Sequence, residues 1–183
     1  AQRVLASNLS WFHIFLNEMK KPQRWNVALV AALVFATLLA GCGREHRAGE
    51  MPDISLKTYS GGTYTASSED TQVTLVVFWA TWCRPCLMEI PALVQLQQKY
   101  QDRQFRVVGV NTDDPTGAKA LPIMKMMGVN YQMVIGDDKI AGKFGGVWGL
   151  PTSFLVGRDG LIKEKFQGLW PVEVLDEKIT AQL

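Results

Sequence analysis

Cys83 and Cys86 are the residues in this chain whose type and spacing best suit them to chemistry. They sit in Trp82-Cys83-Arg84-Pro85-Cys86, after the apolar run Thr74 to Ala80 and ahead of a segment of helical period, 87–100. A strand that delivers a cysteine to the mouth of a helix places its thiol where free backbone N–H groups and the positive end of the helix dipole converge. Both favour the thiolate, the form that attacks disulfides. The spacing also lets the two sulfurs meet across one helical turn. Cys83 would attack a substrate disulfide, a mixed disulfide would form, and Cys86 would displace the product. Arg84 and the helix start are expected to draw the Cys83 pKa from about 8.5 toward the range of roughly 3.5 to 7.5 found in such motifs. Cys86, one turn further in, is expected to stay a thiol until needed. The bland alternative is an inert stapling disulfide, which more often closes a longer loop. Structural zinc is not expected, because it needs about four ligands. The third cysteine, Cys42, and the histidines, His13 and His46, all precede the segment expected to fold.

The elements that must hold this pair follow from periodicity. Ile54 to Thr58 and Gly62 to Thr65 flank Ser60-Gly61 and read as a short hairpin. Thr74 to Ala80 reads as a buried central strand, and Phe105 to Asn111 as a second, parallel to it through a right-handed crossover. Between them, 87–100 carries Leu87, Ile90, Leu93, Val94, Leu96 and Tyr100 at helical spacing, with Pro91 expected to kink the helix. Asp113-Asp114-Pro115 is expected to cap a helix through about Met127, ended by Gly128. A strand over 131–135 and a short helix over 137–144 come next, then strands at 152–156 and 161–166 across Gly157-Arg-Asp-Gly160. Pro171 opens the last helix. The resulting order, β-α-β-α-β-α-β-β-α from residue 74, is an α/β sheet with an antiparallel edge. Met124, Met126, Met127 and Met133 read as core filler. Gly136 and Gly142-Lys143 mimic a phosphate loop, but the spacer is one residue too long and Phe144 replaces the Ser or Thr.

The 183 residues, 48% hydrophobic and 20% charged, suit one globular domain with appendages. The net charge of +2 is unevenly placed: residues 1–41 hold Arg3, Lys20, Lys21 and Arg24 against Glu18 alone. The remainder is close to neutral with no basic stripe, so no nucleic-acid partner is expected. Lys20-Lys-Pro-Gln-Arg24 leads into an apolar stretch from Val27 to Ala40, the pattern of a secretory signal over 19–41. Its end, Leu39-Ala-Gly-Cys42, resembles the lipobox of bacterial lipoproteins, which implies that Cys42 carries a lipid and becomes the mature N-terminus. An uncleaved membrane helix is the alternative, but the stretch is shorter than the roughly 20 residues a span needs. Either way the domain, 53–183, faces the non-cytoplasmic side. Residues 42–52 read as a polar tether. Met19 is the natural start of such a signal, so 1–18 read as an upstream, non-native extension; a segment lying on the membrane is the alternative.

Phe78-Trp-Ala-Thr-Trp-Cys-Arg-Pro-Cys86 resembles a thioredoxin-fold active site, and Cys86-Leu-Met-Glu-Ile-Pro91 resembles the TlpA/ResA-type membrane-anchored thiol-disulfide oxidoreductases. The likeness runs over roughly residues 50 to 183. It implies a central mixed sheet flanked by helices, an extra N-terminal hairpin, and a strand–helix insertion at 131–144 ahead of a cis-proline loop. Gly149-Leu-Pro-Thr152 matches that loop, which makes Pro151 cis and beside the sulfurs, with the Leu150 backbone pairing to an extended substrate. On sequence alone a trans proline opening an edge strand is favoured. Glu89 matches the family's glutamate three residues beyond the second cysteine, a partly buried acid that tunes the thiols; spacing alone suggests a solvated helix glutamate. Thioredoxin's buried aspartate six residues before the first cysteine is here Val77, which raises the interest of Glu89. Trp82 is expected to shield one side of the disulfide and help bind substrate, Trp79 and Phe78 to be core, and Trp148 either to rim the groove or to pack in the core or a loop. The resemblance implies a reductant of selected protein disulfides, such as apocytochrome c or a copper-site protein, re-reduced by a membrane electron donor. No cofactor beyond the Cys83–Cys86 disulfide is expected. A disulfide-forming oxidant and a non-catalytic binding module are the alternatives. A peroxidase would need Thr three residues before its cysteine, whereas Thr81 is two before; a copper carrier would need a distant histidine, and none follows His46.

Overall fold

The computed structural model describes residues 49–68 and 70–183. The signal expected at 19–41, the extension expected at 1–18 and the lipid attachment expected at Cys42 lie outside the described residues. Seven strands and four helices follow in order: β1 (Ile54–Lys57), β2 (Thr63–Ala66), β3 (Val73–Trp79), α1 (Arg84–Tyr100), β4 (Phe105–Asn111), α2 (Ala120–Met126), β5 (Gln132–Ile135), α3 (Asp138–Lys143), β6 (Thr152–Val156), β7 (Ile162–Gln167) and α4 (Val172–Thr180). β1 and β2 form a separate antiparallel hairpin. The main sheet runs β5-β4-β3-β6-β7. β3, β4 and β5 are parallel, β6 is antiparallel to β3, and β7 is antiparallel to β6, giving the expected antiparallel edge. No described helix is long and apolar enough to cross a membrane.

β3 is buried along its whole length because both faces of the sheet are covered. Its side chains alternate between two layers, as the two-residue period of a strand requires. Val76 and Phe78 join Val108, Val110, Phe154 and Val156 under the β1–β2 hairpin and α3, where Ile54, Ile140 and Phe144 close the layer. Val73, Leu75 and Val77 join Val107 and Leu155 on the other face, packed by Leu93 and Leu96 of α1 and by Leu175 and Ile179 of α4. Phe78 is held edge-on by Phe144 and Phe154, at 5.3 and 5.9 Å between ring centres. Truncating such a core phenylalanine to alanine costs about 3–5 kcal/mol. This anchors the strand that feeds Cys83.

Three boundaries differ from the sequence expectation for physical reasons. α1 starts at Arg84 rather than 87, because Pro85 occupies the first turn, where its missing N–H costs nothing. It then continues through Pro91 to Tyr100 as one helix. α2 starts at Ala120 rather than beside Asp114. The Asp114 carboxylate instead accepts the backbone N–H groups of Gly117, Lys119 and Ala120 and the Thr116 hydroxyl, and Gly117 stands at φ +79°, outside helical space. The first of these bonds by weight, from Ala120, and its companions hold the Asp114 pKa down to about 2 against the cost of burial. Finally, residues 49–52 belong to the fold rather than to a tether. Met51 is buried in the core and its N–H donates to the Gly160 carbonyl at 2.9 Å, while Glu50 bridges Leu161. One side-chain expectation also fails: Met133 is core and Met124 and Met127 pack against it, but Met126 is 79% exposed.

Candidate active site

Cys83 is the N-cap residue of α1, in extended geometry at φ −81° and ψ 95°, just outside the helical ladder. It is joined to Cys86 by a disulfide, with 5.3 Å between the Cα atoms. The Cys86 N–H donates to the Cys83 sulfur at 3.3 Å, the donation expected of an N-cap. The pair is sunk into the protein: Cys83 is 3% and Cys86 2% exposed, among Trp79, Ala80, Ile90, Ala120 and Met133. Met133 reaches this cluster by crossing Gly109 on β4, where any Cβ would collide with its sulfur. Burial in apolar surroundings works against the thiolate, while the helix start works for it.

Glu89 lies one turn beyond Cys86 on the same helix and is 2% exposed. Its Oε2 has no hydrogen-bond partner among the described residues. Burial alone pushes its pKa from 4.5 up to about 7. The solvated surface glutamate suggested by spacing is therefore not what the fold makes of it. Tyr131, at the entry to β5, feels Glu89: burial first, and the Glu89 charge second, push its phenol upward. The same tyrosine lines a cavity of about 470 Å³ with Thr58, Leu121, Met124 and Gln132.

The Leu150–Pro151 peptide bond is cis. Pro151 is buried, its carbonyl accepts from the Gly168 N–H at 2.8 Å, and the Thr152 hydroxyl closes the loop by donating to the Gly149 carbonyl at 2.7 Å. The Leu150 side chain packs against the cluster that holds both cysteines. Its backbone makes no hydrogen bond among the described residues. Thr152 pairs with Phe78, so the proline loop stands at the end of β3 from which the cysteine turn departs. Trp79 and Phe78 are core, as expected. Trp82, next to Cys83 in the chain, is 72% exposed. Trp148 is 86% exposed with its indole over Gly146, which excludes packing in the core.

Sequence reasoning missed Asp113. Its carboxylate accepts the Thr81 backbone N–H at 2.8 Å and the Thr81 hydroxyl at 2.6 Å, and it is steadied by the Asn111 amide at 3.0 Å. Asn-x-Asp, which can fold back on itself as an Asx turn, was the signal available, but it reads equally as a helix cap. Among the described residues no three His, Cys, Asp or Glu side chains gather into a metal-binding group.

The profile of the AhpC/TSA family matches residues 48–165. The chain is 29% identical over 133 residues to the thioredoxin-like protein YneN of Bacillus subtilis, covering 71% of this chain and 76% of that one. It is 34% identical over 107 residues to the thiol-disulfide oxidoreductase ResA of Bacillus thuringiensis, covering 56% of this chain and 61% of ResA's length. A solved thiol:disulfide interchange protein of the thioredoxin family from Chlorobium tepidum superposes with a TM-score of 0.68 at 27% identity, over 75% of this chain and 98% of that one.

Proposed function

The chain belongs to the AhpC/TSA family with a thioredoxin-like fold, as a thiol-disulfide oxidoreductase, and we propose that it reduces selected protein disulfides outside the cytoplasm. In the reduced enzyme, the Cys83 thiolate attacks one sulfur of a substrate disulfide. The substrate S–S bond breaks, a Cys83–substrate disulfide forms, and the first substrate thiolate leaves and takes a proton. Cys86 then loses its proton and attacks the Cys83 sulfur. The second substrate thiol is released, and one electron pair has passed to the substrate at the cost of a Cys83–Cys86 disulfide. The disulfide is the only redox group this cycle requires. A membrane electron-donor protein presenting its own thiols resets it.

Glu89 serves the second step. One turn from Cys86 and titrating near 7, it takes the Cys86 proton as carboxylate and returns one as acid. The unpaired Leu150 backbone receives an extended substrate segment as strand addition does, beside Pro151. Trp82, next to Cys83, and Trp148, three residues before Pro151, supply apolar contact for it.

The observation that carries the direction is the burial of the cysteine pair with a buried acid one turn away. Neither apolar walls nor a carboxylate stabilises a thiolate, so the reduced form is the less favoured one and the couple gives electrons up. The contrary reading, an oxidant, draws on the N-terminal position of Cys83 and the N–H aimed at its sulfur. Apocytochrome c and copper-site proteins are the proposed substrate classes. A lipid on Cys42 is the proposed anchor, on the periplasmic side in a Gram-negative cell. Reduction of insulin disulfides by the wild type, lost in Cys83→Ser, tests the activity; absence of wild-type turnover would contradict the reductase reading. Labelling with radioactive palmitate tests the anchor, and a protein that takes up no label has none.

A further inference from the structure

Cys83 is delivered by a turn from Ala80, closed by its own N–H on the Ala80 carbonyl at 3.1 Å. Of the two residues inside that turn, Trp82 is exposed and makes no hydrogen bond among the described residues. Thr81 makes two, and both end on Asp113. Asp113 is itself fixed to the sheet. Asn111, wholly buried at the end of β4, donates to the Asp113 carboxylate and accepts the N–H groups of Asp113 and Asp114 at 3.2 and 2.8 Å. The intervening Thr112 ties back to β3 through its N–H on the Trp79 carbonyl at 3.1 Å. A continuous polar chain therefore runs from β4 through Asn111 and Asp113 to Thr81.

We infer that Asp113 is a positioning residue for the disulfide exchange, acting through Thr81 to fix the turn that aims the Cys83 sulfur. This rests on Cys83 being the attacking sulfur. In the oxidised protein the disulfide itself ties Cys83 to α1. Reduction removes that tie while Cys83, as N-cap, remains outside the helical ladder. Its backbone is then held by the first helical bond, from the Leu87 N–H to the Cys83 carbonyl at 3.1 Å, and by the turn that Asp113 fastens. Attack on a disulfide needs the incoming sulfur in line with the S–S bond, and a loosened turn spreads that sulfur over unproductive positions.

The test uses the full chain in its reduced form and a small aromatic disulfide, dithiobis-nitrobenzoate, as the probe. The Cys83 thiolate fraction is read by ultraviolet absorbance, so that rates are compared per thiolate, and unfolding midpoints are recorded beside them. Thr81→Ala keeps the Asp113 charge and the backbone bond and removes the hydroxyl together with the γ-methyl, whose loss alone is controlled by Thr81→Ser. Asp113→Asn removes one acceptor from Thr81. Each is expected to slow the per-thiolate reaction, by about ten-fold for Asp113→Asn. Thr81→Ser keeps the wild-type rate. The double variant is no slower than Asp113→Asn alone, because both break one connection. The inference is overturned if Thr81→Ala reacts at the wild-type rate, or if Asp113→Asn acts only by moving the thiolate pKa. If Asp113→Asn does not fold, Thr81→Ala and Thr81→Ser decide the matter. Insulin turnover by the wild type is followed in parallel; its failure, with the probe still reacting, counts against the reductase reading and not against Asp113.

Discussion

Glu89 follows Cys86 by one helical turn on α1, and the two side chains are equally closed to solvent, at 2% exposure each. A carboxyl in that place cannot ionise cheaply, and its pKa rises to about 7 for that reason alone.

This pairing fixes a dependence of stability on pH. Because the pKa of Glu89 is raised from 4.5 to about 7, the folded protein holds a proton that the unfolded chain releases. That stabilisation is complete below the unfolded value and is lost as pH rises through the folded one. The window is pH 4.5 to about 7, and the total is on the order of 3 kcal/mol. Denaturant titrations of the oxidised protein across it should show Glu89→Gln gaining on the wild type as pH rises. Parallel curves would mean that Glu89 ionises freely.

The same substitution bears on catalysis. Glu89→Gln should lose the inflection near pH 7 in the rate of Cys86 attack on the mixed disulfide, slowing that step about 100-fold as general-base loss does. Cys83 should retain its thiolate and its rate of first attack. Stopped-flow traces with a preformed Cys83 mixed disulfide separate the two steps, and an unchanged second step would remove Glu89 from the proton path.

The cysteines are distinguishable by trapping. Cys86→Ser should still attack a substrate disulfide but stall as the Cys83–substrate adduct, visible by mass under non-reducing conditions. Cys83→Ser should form none. An adduct through Cys86 would reverse the assigned roles, which follow from Cys83 being the N-cap and Cys86 lying within the helix.

Trp148 should act on substrate and not on the fold, since it is 86% exposed. Trp148→Ala is expected to raise KM for a protein disulfide several-fold with kcat kept and with stability changed by less than about 0.5 kcal/mol. Turnover of a small aromatic disulfide should be unaffected. Equal loss on both substrates would show that Trp148 shapes the site itself.

Gly160 supplies a check on the fold. It stands at φ +74°, and a Cβ there would run into the Ser68 backbone. Gly160→Ala should therefore cost about 2 kcal/mol or more, from the left-handed backbone and the collision together. It should lower the unfolding midpoint while leaving the per-thiolate reactivity of Cys83 unchanged.

Much of this was legible in the chain because the signals were strong and local. The unbroken apolar run of β3, the helical period after Cys86 and the Asp-Gly turn before β7 each admit one reading. Leu150-Pro151 was legible only by resemblance, since the residues alone favour a trans bond. The failures share a cause. Asp113 was read as a helix cap, yet its carboxylate serves a partner set by the fold, Thr81, 32 residues earlier; Asp114 does take the N–H groups of Lys119 and Ala120 that open α2, but from across an intervening loop. Glu89, by contrast, has the spacing of a surface residue, and its burial was legible only through the family resemblance. Glu50 and Met51 looked like part of a polar tether because their partners, Leu161 and Gly160 respectively, lie far along the chain. Side-chain partners distant in sequence leave no periodicity to read.

The direction of electron flow is the centre of the account, and the reduction potential of the Cys83–Cys86 couple tests it most directly. Equilibration against a glutathione or dithiothreitol series, followed by thiol alkylation, gives the value. A buried pair beside a buried acid predicts a potential near that of thioredoxin, about −270 mV; a potential near −120 mV, that of a strong oxidant, would contradict it.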